Sequence, residues 1–283
     1  MTRITAIVVS HNPDITRLTL VLDSIIGQVF RVVVVDNGSR NVGEIEGLCR
    51  GVRGCDLIRL SFNSGIAYAL MRGVRYAVNH FNPDWLLFLD DDTIVLNDTV
   101  KRALSIYEGL PKPVRDRVGL IKLGSWGNDC RVYEVLYEAF SGTLIRSDIA
   151  MKTCCRTNFF LDQADHDLYA KVREQGYLTL SINCKLVEHE LGTKIWSPIL
   201  SKIHGKDFIH YEPPWRYYYM VRNSTILFRE RRMHSRIYLR QLLHWGLRII
   251  FHDGFKRFLK PFGLGIMHAL LNQEGYIDKK YFS

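Results

Sequence analysis

Several features are scarce or missing in the 283-residue sequence, and each absence excludes a class of protein. No apolar run reaches the ~18 residues of a membrane-spanning helix. No fixed-period repeat occurs, and the 21 Gly and 8 Pro are ordinary numbers, which argues against solenoid and collagen-like folds. The 14 Phe, 14 Tyr and 5 Trp exclude intrinsic disorder, because they bury much apolar surface. The chain is therefore expected to be globular, with one large domain or a domain and an appendage.

Cysteine pairs of the C-x-x-C type are missing as well. The chain runs from Thr2 directly into a strand-like segment without a signal peptide, so we expect a cytoplasmic protein with reduced, inert thiols. The six cysteines concerned are Cys49, Cys55, Cys130, Cys154, Cys155 and Cys184.

Glycine-rich nucleotide motifs are also absent. Neither G-x-G-x-x-G nor G-x-x-x-x-G-K-[ST] occurs, and the loop after the first predicted strand reads His11-Asn12-Pro13. Such a loop cannot cradle a pyrophosphate on glycine amides, so any phosphate charge must be met in another way.

The N-terminal half alternates strand-like and helix-like segments. Apolar, β-branched runs cover 4–9, 31–35, 56–60 and 85–89, and helical patterns follow several of them, as over 66–79. This alternation predicts a doubly wound, mostly parallel α/β sheet, with the ligand site beyond the carboxyl ends of the strands.

Three adjacent carboxylates, Asp90, Asp91 and Asp92, follow the fourth predicted strand. Like charges at such spacing repel unless a cation or hydrogen-bond donors neutralise them, and Mg²⁺ or Mn²⁺ takes oxygen ligands of this kind. In an extended segment Asp90 and Asp92 point to one side and Asp91 to the other. The alternative is a solvated turn in which Asp92 caps a helix.

The order of these motifs resembles that of family 2 glycosyltransferases, the inverting group with the GT-A fold, and especially their rhamnosyltransferase and galactofuranosyltransferase branch. The resemblance covers about residues 4–225, so we expect a GT-A domain over 1–225 and a helical, basic C-terminal region over 226–283. The motifs that carry it are TAIVVSHN from Thr5, VVDNGS from Val34, NSGIA from Asn63, FLDDDT from Phe88, DQADHDL from Asp162 and RYYYMVRN from Arg216.

The resemblance implies a role for each matching residue. Asp36 would read the pyrimidine base of the donor, Asp165 would be the catalytic base, and Asp92 would contact the metal through which the donor diphosphate is held. Arg222 would either orient the acceptor or staple the C-terminal region. The full assignment is nucleotide-sugar binding to Ser10, Asn12, Asp36, Asn63, Gly65, Asp90 and Asp91, metal binding to Asp92, Asp90 and His189, and acceptor binding to Ser141, Gly142, Asp167 and Arg222.

Three positions depart from the family pattern. Ala164 stands where the acidic motif usually has Glu, which leaves the choice of acid among Asp162, Asp165 and Asp167 open. Met71 replaces a usual Asn. Lys171 replaces a usual Arg, which gives up bidentate geometry.

The expected function is inverting, metal-dependent transfer of a sugar, rhamnose as the first choice, from a dTDP- or UDP-linked donor to a glycan or lipid-linked saccharide, with Mg²⁺ or Mn²⁺ as cofactor. One alternative is a catalytically inactive GT-A-like protein that binds nucleotides or glycans. A nucleic-acid-binding protein is the weaker alternative, because it does not explain three carboxylates at a strand end.

Positive charge concentrates near the C-terminus. The net charge is +9, and 229–260 holds nine basic and two acidic residues. A helix over 235–251 would place Tyr238, Leu242, Trp245 and Ile249 on one face and basic residues on another, so it could lie on an anionic membrane at the inner face of the cell membrane. Alternatively, this helix packs on the catalytic domain with a solvated basic face.

Overall fold

The structure is a computed structural model that describes residues 2–189, 193–196 and 209–282. The chain divides into two compact units. The first comprises Met1–Arg156 and Leu168–Glu190, and the second comprises Thr157–Asp167 and Leu191–Ser283. The division into 1–225 and 226–283 stays a prediction.

An eight-stranded sheet forms the centre of the first unit. The strands of this unit are β1 (Ile4–Ser10), β2 (Arg31–Asn37), β3 (Cys55–Leu60), β4 (Trp85–Asp90), β5 (Ile94–Val95), β6 (Val118–Leu123), β7 (Asn128–Glu134), β8 (Thr143–Arg146), β9 (Leu178–Cys184) and β10 (Val187–Glu188). The sheet order is β3-β2-β1-β4-β8-β6-β9-β7. The block from β3 to β4 is parallel, β8 is antiparallel to both β4 and β6, and β7 is antiparallel to β9. The predicted mostly parallel α/β sheet is confirmed.

Burial on both faces explains the valine-rich strand at the centre of the parallel half of the sheet. Val32, Val33, Val34 and Val35 of β2 are all fully buried, as expected of a strand covered on both faces. The helices of this unit are α1 (Ile15–Ile25), α2 (Val42–Gly51), α3 (Ile66–Phe81), α4 (Thr99–Glu108), α5 (Lys112–Arg115) and α6 (Ser147–Thr153), and α7 (Ala164–Glu174) begins among the residues of the second unit.

The prediction of reduced cysteines is wrong for this structure, which pairs all six in disulfides. Cys49 bonds Cys55 and Cys154 bonds its neighbour Cys155. Cys130 bonds Cys184, because the pairing of β7 with β9 brings two residues together that are 54 positions apart. Spacing along the chain does not reveal that proximity.

A helix that is buried almost all round organises the second unit. This unit contains β11 (Thr193–Ile195), β12 (Ile209–Tyr211), α8 (Pro214–Arg229), α9 (Ser235–Asp253), α10 (Phe255–Leu270) and a 3-10 turn (Lys279–Phe282). Tyr217, Met220 and Val221 of α8 form a core with Ile249, and this core extends to Leu242, Trp245, Phe258, Phe262 and Ile266. A helix so enclosed belongs to the core of its unit.

This packing corrects the membrane face predicted for α9. Three of the four residues of the predicted face pack against α8, namely Leu242, Trp245 and Ile249. The fourth, Tyr238, stacks on Phe228 and shares a hydrogen bond with Thr225. That face is therefore not available to a membrane. Among the described residues, no helix has both the length and the hydropathy to cross a bilayer.

Candidate active site

Two carboxylates and an imidazole converge where β4 ends. Asp90 is the last residue of β4, and His189 follows β10, which pairs with β5 directly beyond the aspartates. The His189 Nε2 atom lies 3.3 Å from Asp92 Oδ1 and 3.5 Å from Asp90 Oδ2. Ligand atoms of all three residues lie within 4.8 Å of one another, which is close enough to share one cation. Antiparallel pairing of two short strands thus brings together residues that are far apart in the sequence.

The electrostatics of this cluster suit a cation. Burial lowers the pKa of His189, but the hydrogen bond to Asp92 and the charges of Asp90 and Asp92 outweigh it, so the pKa is raised above the ordinary value. Two carboxylate oxygens are the ligands that Mg²⁺ and Mn²⁺ prefer, and an imidazole nitrogen is the better ligand for the transition ion. The donor set therefore fits Mn²⁺ or Mg²⁺, which Asp90, Asp92 and His189 would hold.

Asp91 is not part of this cluster; it is partly buried and contacts the loop that follows β1. Its carboxylate accepts a hydrogen bond from the backbone N–H of His11 at 3.1 Å. Burial raises its pKa, the His11 bond lowers it, and the charges of Asp90 and Asp92 raise it further, to about 6. The first loop and the aspartate loop are tied together at this residue.

Ser141 contacts the loop that carries these aspartates. Its hydroxyl accepts the backbone N–H of Asp90 at 2.9 Å and lies 2.6 Å from the Thr93 hydroxyl. Gly142, at a positive φ of 75°, donates its N–H to the carbonyl of Phe88 on β4. The two residues predicted to face the acceptor therefore have contacts that position β4 and its aspartates.

A network of asparagines joins the loops that follow β1, β2 and β3. Asn12 accepts the N–H of Arg40 at 2.8 Å. Asn37 donates to the Asn63 side chain at 3.1 Å, and Asn63 accepts the N–H of Gly65 at 3.0 Å. Gly65 has a positive φ of 84° at the start of α3. These bonds bring Asn63 and Gly65 next to the loop that follows β2.

Ser10 and Asp36 lie at the ends of β1 and β2 and are fully buried. Asp36 Oδ1 accepts the N–H of Ser39 at 3.1 Å, whereas Asp36 Oδ2 has no hydrogen-bond partner among the described residues. A buried carboxylate oxygen without a partner is costly. A donor group of a ligand would remove that cost.

The acidic motif belongs to the second unit, and arginines hold two of its carboxylates. Asp162, at a positive φ of 58°, receives three hydrogen bonds of 3.1–3.2 Å from Arg216. Asp167 is fully buried and pairs with Arg232 at 2.9 Å. Asp165 lies in the first turn of α7, is only partly buried, and accepts the N–H of His166. Asp162 and Asp167 are therefore engaged in structural pairs.

Arg222 makes contacts that join the C-terminal segment to α8. It is 1% exposed, donates to the carbonyl of Gly275 at 2.8 Å and to the Tyr218 hydroxyl at 3.2 Å, and its guanidinium lies 5.1 Å from the centre of the Tyr219 ring. These bonds fasten the C-terminal segment to α8. Of the two roles predicted for Arg222, the structure favours this one.

Sequence reasoning missed Lys122, a cation in the apolar strand β6. Its ammonium donates to the carbonyl of Ala139 at 3.0 Å and to that of Ser141, and its charge lowers the pKa of His189. A single lysine within the run Val118–Leu123 is the signal that could have identified it, because such a residue is rarely buried without a partner.

Two solved structures have folds similar to that of this chain. The structure is similar to S. aureus TarS 1–349 in complex with UDP (TM-score 0.57, 14% identity, covering 96% of this chain and 88% of that one). It is also similar to the mannosyltransferase PcManGT from Pyrobaculum calidifontis in complex with GDP-Man and Mn²⁺ (TM-score 0.55, 15% identity, covering 95% and 74%). The fold is that of the GT-A glycosyltransferases.

Two comparisons of sequence point to glycosyltransferases as well. Residues 5–130 match the family model described as Glycosyl transferase family 2, and the protein is a glycosyltransferase. It is also 25% identical over 258 residues, 84% of each chain, to the dTDP-rhamnosyl transferase RfbF of Shigella flexneri.

Proposed function

We propose that the protein transfers rhamnose, with inversion, from a dTDP-linked donor to a glycan or lipid-linked saccharide, and that it requires Mn²⁺ or Mg²⁺. The choice of donor is supported by the similarity to RfbF, which is named a dTDP-rhamnosyl transferase. A UDP-linked donor is the second choice, since the TarS structure contains UDP. The proposed catalytic domain is 1–225, and the proposed location is the inner face of the cell membrane.

The observation that carries this proposal is the cluster of Asp90, Asp92 and His189 at the end of β4. In parallel α/β sheets, ligands bind beyond the carboxyl ends of the strands, and this cluster lies there. A bound divalent cation supplies charge stabilisation to the departing diphosphate. The supporting loops hold the two aspartates so that their carboxylates face one another and His189.

The other residues of the site bind the nucleotide and accept the proton of the acceptor. Asp36 offers its unpartnered carboxylate oxygen to an N–H of the nucleotide base, with Ser10 beside it at the end of β1. Asn63 and Gly65 position the loop against the nucleotide. Asp165 takes the proton from the attacking acceptor hydroxyl as the glycosidic bond forms and the bond to the diphosphate breaks.

Asp165 is the preferred base among the three aspartates of its motif. Asp162 and Asp167 are held by Arg216 and Arg232 respectively. Paired, buried carboxylates are poor proton acceptors, because the neighbouring cation stabilises the ionised form. Asp165 lies in the first turn of α7 and is only partly buried, and it is the aspartate that the family motif places as the base.

The metal role is tested with Asp92→Asn, and with Asp23→Asn as the matched control on an exposed face of α1. At a Mn²⁺ concentration 100 times its Kd, the wild type should gain about 2.7 kcal/mol of stability in thermal unfolding. Asp92→Asn should lose most of this gain together with metal-dependent turnover of dTDP-rhamnose, while Asp23→Asn keeps both. Full Mn²⁺ stabilisation of Asp92→Asn would contradict the metal site.

The base assignment is tested with Asp165→Asn in a transfer assay and a dTDP-binding assay. Removal of a general base typically costs ~10²–10⁴-fold in rate, so kcat should fall by that factor while dTDP affinity stays within about twofold of the wild type. The exposed Asp148→Asn variant serves as the control for the charge change. Undiminished transfer by Asp165→Asn would refute the assignment.

A further inference from the structure

A stripe of exposed apolar side chains runs along α9 on the side that does not pack against α8. Leu239, Leu243, Leu247 and Phe251 follow one another at intervals of four residues, which places them on one helical face. Their exposures are 55%, 63%, 45% and 43%. Single exposed leucines are ordinary, but a contiguous row of four marks an interaction surface.

The next helix repeats this pattern. Phe255, Leu259, Met267 and Leu270 of α10 are 44–58% exposed, whereas Pro261, Gly265 and Ala269 on the opposite side are buried. Gly265 lies so close to Val221 of α8 that an added Cβ would come within 2.8 Å of it. Each helix therefore uses one face for the core and leaves a second apolar face exposed.

Cations lie on these same exposed faces. Arg236 and Arg240 precede Leu239 and Leu243 by three residues, and Lys256 precedes Leu259 by three, so each cation neighbours the leucine on the helix surface. All three are exposed, and their charged groups have no ion-pair partner among the described residues. Lys260, also exposed, lies over the Tyr281 ring at 5.0 Å.

We propose that these exposed faces of α9 and α10, the lipid-binding surface, dock on an anionic bilayer. Leucine and phenylalanine would enter the headgroup and acyl boundary, and the arginines and lysines would meet lipid phosphates. The surface is distinct from the face predicted from the sequence, which is packed. It goes beyond the proposed sugar transfer, because it does not depend on the metal or the base.

Charge argues against the other occupants. A second copy of the chain in a symmetric contact would bring two copies of this basic surface, with Arg236, Arg240 and Lys256, face to face, and like charges repel. A nucleic acid would satisfy the cations but leave the leucine row exposed to water. Only an anionic, amphiphilic surface satisfies both sets of side chains.

The electrostatic half of the proposal is tested by flotation of the full-length protein with vesicles. The wild type should float with vesicles of 70% phosphatidylcholine and 30% phosphatidylglycerol and bind pure phosphatidylcholine at least tenfold more weakly. Arg236→Gln/Arg240→Gln/Lys256→Gln should lower the partition coefficient about 10²-fold, since each cation contributes about 1 kcal/mol. A wild type that stays at the bottom of the gradient with anionic vesicles overturns the proposal.

The apolar half is tested with Leu239→Ser/Leu243→Ser/Leu247→Ser. Each leucine is already half-exposed, so folding should persist by circular dichroism while vesicle binding falls about 10²-fold. Leu20→Ser/Leu136→Ser, at exposed leucines of the first unit, is the matched control and should bind like the wild type. Equal loss of vesicle binding in the control would overturn the proposal. It would also be overturned if the wild type does not bind vesicles but forms a dimer, detected by light scattering, that the triple leucine variant does not form.

Discussion

Folding places the ionised carboxylate of Asp91 at a cost in free energy of folding. An asparagine at this position would avoid that cost. Its pKa is raised from 3.8 to about 6, first by burial and then by Asp90 and Asp92. The folded state therefore binds this proton more tightly than the unfolded state does. The stability associated with the protonated form is present below pH ~4 and is lost as the pH rises through 6.

The magnitude follows from these two pKa values. Full ionisation costs about 3 kcal/mol at pH 8, because each pKa unit corresponds to ~1.36 kcal/mol, and only about half of this at pH 5. Asp91→Asn keeps an oxygen that can accept the His11 N–H and removes the charge. We expect it to stabilise the metal-free protein, by about 1.4 kcal/mol more at pH 8 than at pH 5.

Urea unfolding with a chelator present, at pH 5 and at pH 8, measures this difference directly. Asp23→Asn, at an exposed carboxylate of α1, should show the same change at both pH values. An Asp91→Asn variant whose gain is independent of pH, or which is less stable than the wild type at pH 8, would refute the explanation by burial and charge crowding.

Two further perturbations test packing and the support of the site. Gly73→Ala in α3 should destabilise by about 1–3 kcal/mol, because its Cβ would come within 2.5 Å of Ile7, whereas Gly47→Ala in α2, with open space around it, should stabilise by up to about 1 kcal/mol. Urea unfolding distinguishes the two, and equal effects would contradict the packing argument. Ser141→Ala removes the hydroxyl that accepts the Asp90 N–H, so we expect turnover to need several-fold more Mn²⁺, as read from a Mn²⁺ titration of initial rates. Ser105→Ala, at an exposed position of α4, should leave the titration unchanged.

The parallel half of the fold was predictable because its signals are local. β2 is a run of valines that suits burial on both faces, and Asp14 caps α1 by accepting the N–H of Arg17. Each strand of that half ends close to its predicted boundary, and polar residues follow it. The antiparallel insertion of β8 between β4 and β6 was not predicted, because strand order depends on pairing between segments far apart in the chain.

The choice of helix face shows the same limit for the C-terminal region. The sequence of α9 has two apolar rows, one through Leu242 and Trp245 and one through Leu239 and Leu243, and periodicity alone does not rank them. Packing on α8 buries the first row and leaves the second exposed. The prediction followed the row that contains the tryptophan, and the structure used that row for the core.

The local features of this protein, namely its buried strands, helix caps and carboxylates where a strand ends, were predictable from the order of its residues. The free energies of these features depend on residues that are close together in the chain, so the sequence pattern is enough to predict them. The contacts between distant residues come instead from the packing of the folded chain. His189 lies against Asp90 and Asp92, Arg216 and Arg232 pair with Asp162 and Asp167, and Cys130 bonds Cys184. Those contacts depend on which distant segments pack together, and that is decided by the burial of whole faces rather than by any single motif.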